Sequence, residues 1–293
     1  MNAPLSDLTF SLVGPGRVGR SLAAWAEAQG ARCLAAVGRD GSPALSTAGQ
    51  DLLLIAVPDG VLAQVAAELA ARPQAAVALH TSGSLDAEVL APLRGVAGMG
   101  MTAVGSLHPL KAFPQPLPDL AQAHGVFFAL DGDPPARALA HRLAAAWGAE
   151  AAEVPAAART LYHFAATLAA GGVVTLLALA EEIAVRLRLP AAVVRGYLEL
   201  SRGAVAAAIE ADAAGQPVAA ALTGPAARGD RATVERQLAA LADLAPRKVR
   251  LVTELARETL WQKKKTGELT AEQLELLEVL EEAVRPTRGD APG

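Results

Sequence analysis

The sequence predicts an α/β domain with a parallel sheet, followed by an all-helical domain. Over residues 9–153, short apolar runs typical of strands alternate with helical stretches. The run at 51–57, Asp-Leu-Leu-Leu-Ile-Ala-Val, is almost continuously apolar, as expected of a parallel strand that is covered on both faces. Beyond this region only helical patterns occur. We therefore expect two domains, residues 1–154 and residues 155–293.

Each predicted strand is a short run rich in leucine or β-branched residues. The expected strands cover residues 9–13, 32–37, 51–57, 76–80, 102–106 and 125–130, with a seventh near 150–154. Prolines at 190, 217 and 246 separate helices in the second half. The expected helices there cover residues 156–187, 191–212, 230–244, 247–264 and 271–284. Thr270 followed by Gln273 has the spacing of a helix N-cap with glutamine at N3.

Composition and charge narrow the class of protein. A net charge of −4 and a pI near 5.8 give no basic surface for nucleic acid. The single cysteine, Cys33, cannot form an internal disulfide, and the N-terminus lacks the basic and apolar regions of a signal peptide. The longest apolar stretch, around residues 164–180, is interrupted by glycines and followed by Glu181-Glu182. We therefore expect a cytoplasmic protein without a membrane span, and no metal site.

Residues 10–19, Phe-Ser-Leu-Val-Gly-Pro-Gly-Arg-Val-Gly, carry the most informative motif. An apolar run ends in three glycines at G-x-G-x-x-G spacing and passes into a helical pattern. Gly14 allows a tight turn, Gly16 leaves room for a pyrophosphate, and Gly19 lets the helix pack close to the strand. Backbone N–H groups at the helix start, with the helix dipole behind them, then face a diphosphate. This predicts a Rossmann-like dinucleotide-binding fold, with a purely structural glycine turn as the alternative. The expected contacts are Gly14, Pro15, Gly16, Arg17, Val18 and Gly19.

The end of the second strand favours NADP(H) over NAD(H). An NAD site usually has an acidic residue there for the ribose 2′-hydroxyl, whereas this chain has Gly38 followed by Arg39. The Arg39 guanidinium can pair with a 2′-phosphate, for which Gly38 leaves room. In the alternative interpretation, Arg39 is a solvated loop residue and Asp40 binds the ribose.

Two further strand ends belong to the predicted cofactor crevice. The third strand ends in Val57 and Pro58, and the fourth is followed by His80, Thr81 and Ser82. In open α/β sheets, ligands bind at these carboxyl ends. We expect cofactor contacts from Val57, Pro58, Thr81 and Ser82, and a substrate contact from His80. The alternative for 80–84 is a strand cap with a Ser-Gly turn.

Residues 106–113, Ser-Leu-His-Pro-Leu-Lys-Ala-Phe, follow the fifth strand. Proline disfavours helical geometry at the residue before it, so His108 should lie on extended backbone. Histidine titrates near neutral pH and commonly donates or accepts the proton in carbonyl reduction. We predict that His108 is catalytic, that Ser106 contacts substrate and that Lys111 binds a carboxylate or phosphate. A purely structural histidine is the alternative.

Tyr162 and His163 stand at the start of the first helix of the second domain. Such an interdomain helix often borders an active cleft, and His163 and Thr167 lie on one helix face at i, i+4. We predict that His163 is a second catalytic residue and that Tyr162 and Thr167 contact substrate. The alternative is that His163 only packs at the domain interface.

The segment 223–230, Thr-Gly-Pro-Ala-Ala-Arg-Gly-Asp, combines turn residues with a cation and an anion. Asp230 can cap the helix that follows, which leaves Arg228 for an anionic ligand or a partner subunit. A simple turn with a helix cap is the alternative.

Taken in order, these segments resemble one family: 14–19, 80–83, 106–110, 162–163 and 223–230. The chain is similar to Rossmann-like bacterial proteins that carry a C-terminal domain of unknown function. Those proteins are distant relatives of pyrroline-5-carboxylate reductase, prephenate dehydrogenase and 6-phosphogluconate dehydrogenase. The resemblance implies an NADP-binding domain, an all-α C-terminal domain like that of 6-phosphogluconate dehydrogenase, and a homodimer made by those helices. It implies no particular substrate.

Two positions depart from the pattern of similar chains. Relatives tend to have an asparagine nine residues after Tyr162, where this chain has Gly171, and position 237, often histidine, is Gln237. An asparagine amide could hold substrate or nicotinamide, whereas glycine cannot. The chain has therefore either changed its substrate or kept binding after losing turnover.

We accordingly expect an NADP(H)-dependent oxidoreductase that acts on a small, anionic carbonyl, imine or hydroxy compound bound between the two domains. The cofactor would supply the redox chemistry, and the protein would supply orientation and a proton. The competing interpretation is a protein that binds or senses NADP(H) without turnover.

Overall fold

The computed structural model describes residues 4–38, 49–70, 75–94 and 102–284. The chain divides into two compact units, Met1–Gly172 and Val173–Gly293. The boundary falls later than residue 154, where the sequence placed it. The reason is the helix Arg159–Thr167, whose first side chain is fully buried against the strands of the first unit.

The first unit is built on a seven-stranded sheet in the order β2-β1-β3-β4-β5-β6-β7. All seven strands that the sequence predicted are present. They are β1 (Thr9–Val13), β2 (Arg32–Val37), β3 (Leu52–Ile55), β4 (Val77–His80), β5 (Ala103–Pro109), β6 (Phe127–Gly132) and β7 (Glu150–Glu153).

The sheet is mostly parallel, with one exception that the sequence did not indicate. Strands β1 to β5 pair in parallel, as do β6 and β7, but β6 runs antiparallel to β5. A parallel pair needs a crossover connection, usually a helix. The connection from β5 to β6 contains only the short 3-10 helix Leu120–Gln122, so the chain returns in the opposite direction.

Helical segments cover both faces of the sheet and form two apolar cores. Within β3 the side chains alternate, with Leu52 and Leu54 in one core and Leu53 and Ile55 in the other. The first core contains four large aromatic side chains, which belong to Phe10, Trp25, Phe128 and Trp147. The covering segments are α1 (Arg17–Ala28), α2 (Asp59–Ala70), α3 (Pro134–Ala146) and the 3-10 helix Ala87–Leu93, and the unit ends with α4 (Arg159–Thr167).

The described part of the second unit is helical. Its helices are α5 (Val173–Arg186), α6 (Ala191–Ala213), the single turn α7 (Pro225–Arg228), α8 (Arg231–Leu244), α9 (Val249–Thr266) and α10 (Ala271–Val284). A small core contains Val234, Leu260 and Leu276. The predicted cap of α10 is confirmed, because Thr270 and Gln273 exchange side-chain to backbone hydrogen bonds of 2.8 and 3.3 Å.

The helix predicted over residues 156–187 is present, and it contains the apolar stretch for which no membrane span was expected. Ala156–Arg186 has 31 helical residues and a mean hydropathy of 1.8, so by length and composition it meets the criterion for a membrane span. The glycines at 171 and 172 do not break it, because the π-helical segment Leu168–Gly172 accommodates them. The start of the run belongs to the folded first unit, where Arg159 is fully buried.

Candidate functional site

The loop between β1 and α1 contains three glycines in different surroundings. Gly14 has a φ of +86°, and a Cβ there would lie 2.4 Å from the Ala56 carbonyl oxygen. A Cβ on Gly19 would lie 2.4 Å from the Gly14 carbonyl oxygen. A Cβ on Gly16, by contrast, would meet no described atom within 4 Å. Packing therefore requires glycine at 14 and 19, whereas Gly16 leaves open space above the loop.

The start of α1 is suited to an anion. Gly16 is its N-cap, no side chain caps the helix, and the first turn contains no acidic residue. The first N–H groups of a helix lack partners within the helix, and the helix dipole adds positive potential at this end. Together with the open space at Gly16, this arrangement fits the pyrophosphate of a dinucleotide.

The other residues of the glycine loop are held by contacts within the protein. Arg17 Nη1 donates to the Pro114 carbonyl oxygen at 3.2 Å, and Arg20 Nε donates to the Pro15 carbonyl oxygen at 2.7 Å. The Val18 side chain packs against the core of the first unit. These contacts fix the backbone of the loop.

The region that bears on cofactor preference is only partly described. Arg39 and Asp40 lie outside the described residues. A Cβ on Gly38 would have Pro15 Cγ as its nearest described atom, at 3.8 Å, so space remains beside the glycine loop. Val57 lies against the loop as well, because a Cβ on Gly14 would approach its Cγ1 to 2.9 Å.

His80 is buried and holds the loop after β4. Its Nδ1 accepts a hydrogen bond from the Ser82 N–H at 3.1 Å, and its Nε2 donates to the Asp86 carbonyl oxygen at 3.0 Å. Burial lowers the pKa of His80 to about 4, so the imidazole is neutral at pH 7. The expected substrate contact of His80 is therefore corrected, because its side chain has no exposed surface and both ring nitrogens are already bonded.

Ser82 has a similar structural role. Its Oγ accepts hydrogen bonds from the N–H groups of Ser84 at 3.3 Å and Leu85 at 3.1 Å. The neighbouring Ser84 Oγ donates to Asp59 Oδ2 at 2.5 Å, which ties this loop to the start of α2. Thr81 is partly exposed beside it. Of the two predicted cofactor contacts in this loop, Thr81 has the more accessible side chain.

Arg159, which the sequence analysis did not select, is the centre of a buried network. Its Nη2 donates to Ser106 Oγ, and its Nη1 donates to the carbonyl oxygens of Ser82 at 3.3 Å and Leu85 at 3.4 Å. Its Nε lies 3.7 Å from Asp131 Oδ2. Ser106 is fully buried and bonded to Arg159, so its expected contact with substrate is also corrected.

Arg159 positions the residues that follow it on α4. Tyr162 and His163 lie three and four residues later, so all three occupy one face of the helix. That spacing was visible in the sequence. A lone arginine at a helix start is usually solvated, however, so only the contacts of the folded chain distinguish this one.

Tyr162 and His163 contact His108 near the end of β5. The Tyr162 hydroxyl lies 2.9 Å from His108 Nδ1, and the two imidazole ring centroids are 5.3 Å apart. A Cβ on Gly83 would lie 2.3 Å from His163 Nδ1 and 2.6 Å from His108 Nε2. His163 Nδ1 is buried and has no hydrogen-bond partner among the described residues. Two imidazole nitrogens thus approach Gly83 so closely that no side chain fits at position 83.

The pKa shifts of His108 and Tyr162 both favour the uncharged form at neutral pH. Burial lowers the pKa of His108 to about 4, with smaller contributions from His163 and Arg159. Burial also raises the pKa of Tyr162. A neutral imidazole has one donor and one acceptor nitrogen. His108 can therefore bond Tyr162 through Nδ1 and a ligand through Nε2 at the same time.

The cluster borders a pocket of about 690 Å³ within the first unit, formed by residues of the segments 108–112 and 162–171. The Thr167 hydroxyl donates to the His163 carbonyl oxygen at 3.0 Å. Gly171, the position of the missing asparagine, also lines the pocket. The predicted site residues that the fold brings together here are His108, Lys111, Tyr162, His163 and Thr167.

Arg228 lies outside this group, on the second unit. It is exposed at the end of α7, between the positive-φ residues Gly224 and Gly229. The Asp230 side chain caps α8 by accepting from the Thr233 N–H at 3.1 Å, as predicted. Within the described ranges, no group of three or more His, Cys, Asp or Glu side chains is arranged to hold a metal ion.

Two family models match the sequence. A Rossmann-like domain matches residues 41–109, and a domain of unknown function (DUF2520) matches residues 126–259. The predicted resemblance is confirmed. Comparison with the curated proteins gives no significant match.

Solved structures share the fold at low sequence identity. A Thermotoga maritima protein is 22% identical over 87% of this chain and 99% of its own, with a TM-score of 0.62. A Bacteroides fragilis protein, provisionally assigned as an NADP oxidoreductase, is 19% identical over 87% and 98%, with a TM-score of 0.69. Plasmodium falciparum pyrroline carboxylate reductase, solved with NADP bound, is 14% identical over 90% and 100%, with a TM-score of 0.54. These likenesses show a Rossmann-like fold followed by a helical region.

Proposed function

We propose that this chain is an NADP(H)-dependent oxidoreductase that acts on a small, anionic carbonyl, imine or hydroxy compound. The observation that carries the proposal is the convergence of His108 Nε2 and His163 Nδ1 beside Gly83. Gly83 follows β4, His108 lies at the carboxyl end of β5 and the uncapped glycine loop follows β1, so all three lie at the carboxyl edge where open α/β sheets bind ligands.

The cofactor part of the proposal draws on three observations. The open space at Gly16 and the uncapped start of α1 fit a pyrophosphate. Gly38 and Arg39 stand where an NAD site usually has an acidic residue, which favours NADP(H). The Plasmodium reductase with the same fold was solved with NADP bound. We assign the phosphate contacts to residues 14–19 and the 2′-phosphate contact to Arg39.

When bound, a reduced nicotinamide supplies a hydride to the substrate carbon. His108 Nε2 and His163 Nδ1 would hold the substrate oxygen or nitrogen where both imidazoles line the pocket of about 690 Å³. As that atom gains negative charge, His108 Nε2–H gives it a proton, and the Tyr162 hydroxyl returns a proton to His108 Nδ1. Tyr162, which is partly exposed, is then reprotonated from solvent.

These hydride and proton transfers balance in both directions of the reaction. A carbonyl gains one hydride at carbon and one proton at oxygen and becomes an alcohol, and an imine becomes an amine. In the oxidative direction, His108 Nε2 accepts the proton of the hydroxyl, and Tyr162 releases one to solvent. The low pKa of His108 keeps the imidazole neutral, as a relay of this kind requires.

The test is an NADPH-oxidation screen against keto acids, cyclic imines and aldehydes. His108→Gln should lower turnover at least about 100-fold on any substrate found. His141→Gln, which changes an exposed histidine on α3, is the matched control and should leave turnover unchanged. Unchanged turnover in His108→Gln would remove this residue from the proton transfer.

A second candidate function is NADP(H) binding or sensing without turnover. It is favoured by Gly171, which stands where similar chains tend to have asparagine and which lines the pocket next to the histidines. In that case NADPH should bind to the wild-type chain, and no compound of the screen should be reduced. Binding with turnover of any screened compound excludes this candidate.

We also propose a cytoplasmic homodimer formed through the helical unit. Large apolar side chains are exposed on α5 and α6, including Val174, Val185, Leu198, Val205 and Ile209. Exposed apolar surface on a helical unit commonly marks an interaction surface. A second copy is the occupant we favour, and light scattering should give twice the mass of one chain. A monomer in solution, or a chain recovered only with membranes, would contradict this assignment.

A further inference from the structure

The pocket of about 690 Å³ beside His108 is lined by a positively charged residue and by no negatively charged one among the described residues. Among the described residues that line it, Lys111 is the only charged one, and none is an aspartate or glutamate. None of the ion pairs among the described residues involves Lys111. An ammonium group in a pocket wall without carboxylates attracts an anion and disfavours a cationic ligand.

The backbone holds Lys111 close to His108. The Leu110 N–H donates to the Phe127 carbonyl oxygen at 2.8 Å, and the Lys111 N–H donates to the Pro109 carbonyl oxygen at 2.9 Å. The ammonium group and the imidazole are therefore carried by one short segment that is bonded to β6. A small molecule can reach both groups if its anionic group lies a few bonds from its reacting carbon.

Apart from the hydroxyl groups of Tyr162 and Thr167, the remaining wall of the pocket is mostly apolar and made largely of small residues. It includes Ala165, Ala166, Ala169, Ala170 and Gly171 on one helical run, together with Leu110. Methyl groups offer no partner to hydroxyl groups, so a polyhydroxylated ligand would lose hydrogen bonds on entering. An apolar group would instead be removed from water. The volume lies within the usual range for pockets that bind small molecules.

We propose, resting on the proposed function, that the substrates are α-keto or α-imino acids with an apolar side chain. The carboxylate binds Lys111, the reacting carbonyl or imine lies beside His108 and His163 on the pocket wall, and the side chain lies on the alanine wall. The carbon takes the hydride and the oxygen or nitrogen takes the proton, which gives an α-hydroxy or α-amino acid. NADPH is the reductant.

Binding of four probes tests this independently of turnover. Calorimetry on the full chain with saturating NADP⁺, which cannot reduce a ketone, compares phenylpyruvate, phenylacetaldehyde, pyruvate and glyceraldehyde. Phenylpyruvate should bind at least about tenfold tighter than phenylacetaldehyde, which lacks the carboxylate, because it forms a charge-assisted hydrogen bond with Lys111. It should also bind tighter than pyruvate, which lacks the apolar group, and glyceraldehyde, which is polyhydroxylated and uncharged, should bind weakest. Equal affinity of phenylpyruvate and any of the other three overturns the proposal.

Two variants test which residue causes the preference for the carboxylate and which causes the preference for the apolar group. Lys111→Met should abolish the preference for phenylpyruvate over phenylacetaldehyde, whereas the control Lys265→Met, an exposed lysine on α9, should preserve it. Ala166→Leu narrows the alanine wall and should weaken phenylpyruvate more than pyruvate. A Lys111→Met chain that keeps the full preference contradicts the assignment.

The failure of this proposal can be told apart from the failure of the proposed function. If NADPH binds and keto acids are reduced without any preference for an anionic, apolar molecule, only the substrate class is wrong. If no nicotinamide nucleotide binds, the proposed function falls and this inference falls with it.

Discussion

At the scale of single residues, the site depends on the absence of a side chain at Gly83. His163 Nδ1 and His108 Nε2 both approach the position that a Cβ of residue 83 would occupy. Neither imidazole is a flexible chain end that could move aside freely, because Tyr162 bonds His108 and α4 carries His163. The arrangement therefore leaves no room for even a methyl group at this position.

Gly83→Ala should accordingly impair the chemistry more than the fold. Contacts of 2.3 and 2.6 Å would force the imidazoles apart, and displacement of a reacting group by about 1 Å can cost about 100-fold in rate. Turnover should fall by about that factor, while NADPH affinity measured by calorimetry stays near the wild-type value. Gly203→Ala on α6, where a Cβ meets no described atom within 4 Å, is the control. Equal activity of both variants would refute the geometry described here.

Arg159 should act as a positioning residue. Arg159→Met removes three buried hydrogen bonds, to Ser82, Leu85 and Ser106, and leaves Asp131 without its cation, so the free energy of unfolding should fall by about 3 kcal/mol. The loss of this cation should also raise the pKa of His108, which chemical shift titration can follow. The exposed ion pair of Arg202 provides the control, because Arg202→Met should change stability little. Similar stability of the two variants would contradict the role of Arg159.

The buried histidines make stability depend on pH. His80 and His108 have pKa values of about 4 in the folded chain against 6.5 for an exposed imidazole. Below pH 6.5 the unfolded chain therefore binds protons that the folded chain does not, and stability falls until about pH 4. Each histidine accounts for a loss of at most about 3 kcal/mol in the free energy of unfolding. Urea unfolding should show this decline, and His108→Gln should show a smaller one. A stability that stays constant from pH 7 to pH 5 would contradict the burial of both rings.

At the scale of elements, the glycines between β1 and α1 differ in their roles, because some serve packing and one leaves room for a ligand. The same motif contains two glycines whose Cβ would collide with backbone and one, Gly16, whose Cβ would meet open space. The sequence spacing predicts the same division, with a tight turn at Gly14, room for a ligand at Gly16 and close packing at Gly19. The surroundings show which glycine is free for a ligand.

Gly16→Val should therefore weaken nucleotide binding without unfolding the chain. The side chain would occupy the space above the loop, so we expect NADPH affinity to fall at least about tenfold with a nearly unchanged melting temperature. Gly14→Val should instead lower the melting temperature strongly, because its φ is +86° and Ala56 is 2.4 Å away. If the two substitutions had the same effect on stability, this division of roles would be wrong.

The elements also show why part of the fold and site was predictable. Strand runs, the cap of α10 and the unusual pairs His108-Pro109 and Tyr162-His163 are local patterns, which a single sequence displays. The antiparallel direction of β6 depends on what the chain does between two strands. The inward orientation of His80 and the burial of Arg159 depend on which side chains meet across β4, β5 and β6. Contacts between distant segments of this kind leave no periodic mark in the sequence.

At the scale of the whole molecule, the chain divides into two compact units. The first unit, Met1–Gly172, contains both the glycine loop and the histidine cluster, so the groups proposed for cofactor binding and proton transfer belong to one folded body. The second unit exposes apolar helix faces and the loop that carries Arg228. Truncation near residue 154 would remove Arg159, Tyr162 and His163 and should abolish the site.

We propose that the backbone amides at the start of α1 bind the diphosphate of a nicotinamide nucleotide. Calorimetric titration of the full chain with NADPH, with NADH in a parallel experiment, tests it most directly. We expect one site per chain, tighter binding of NADPH than of NADH, and a marked loss of NADPH affinity in Gly16→Val. Absence of heat with either nucleotide, together with an unchanged melting temperature at saturating concentration, would contradict it.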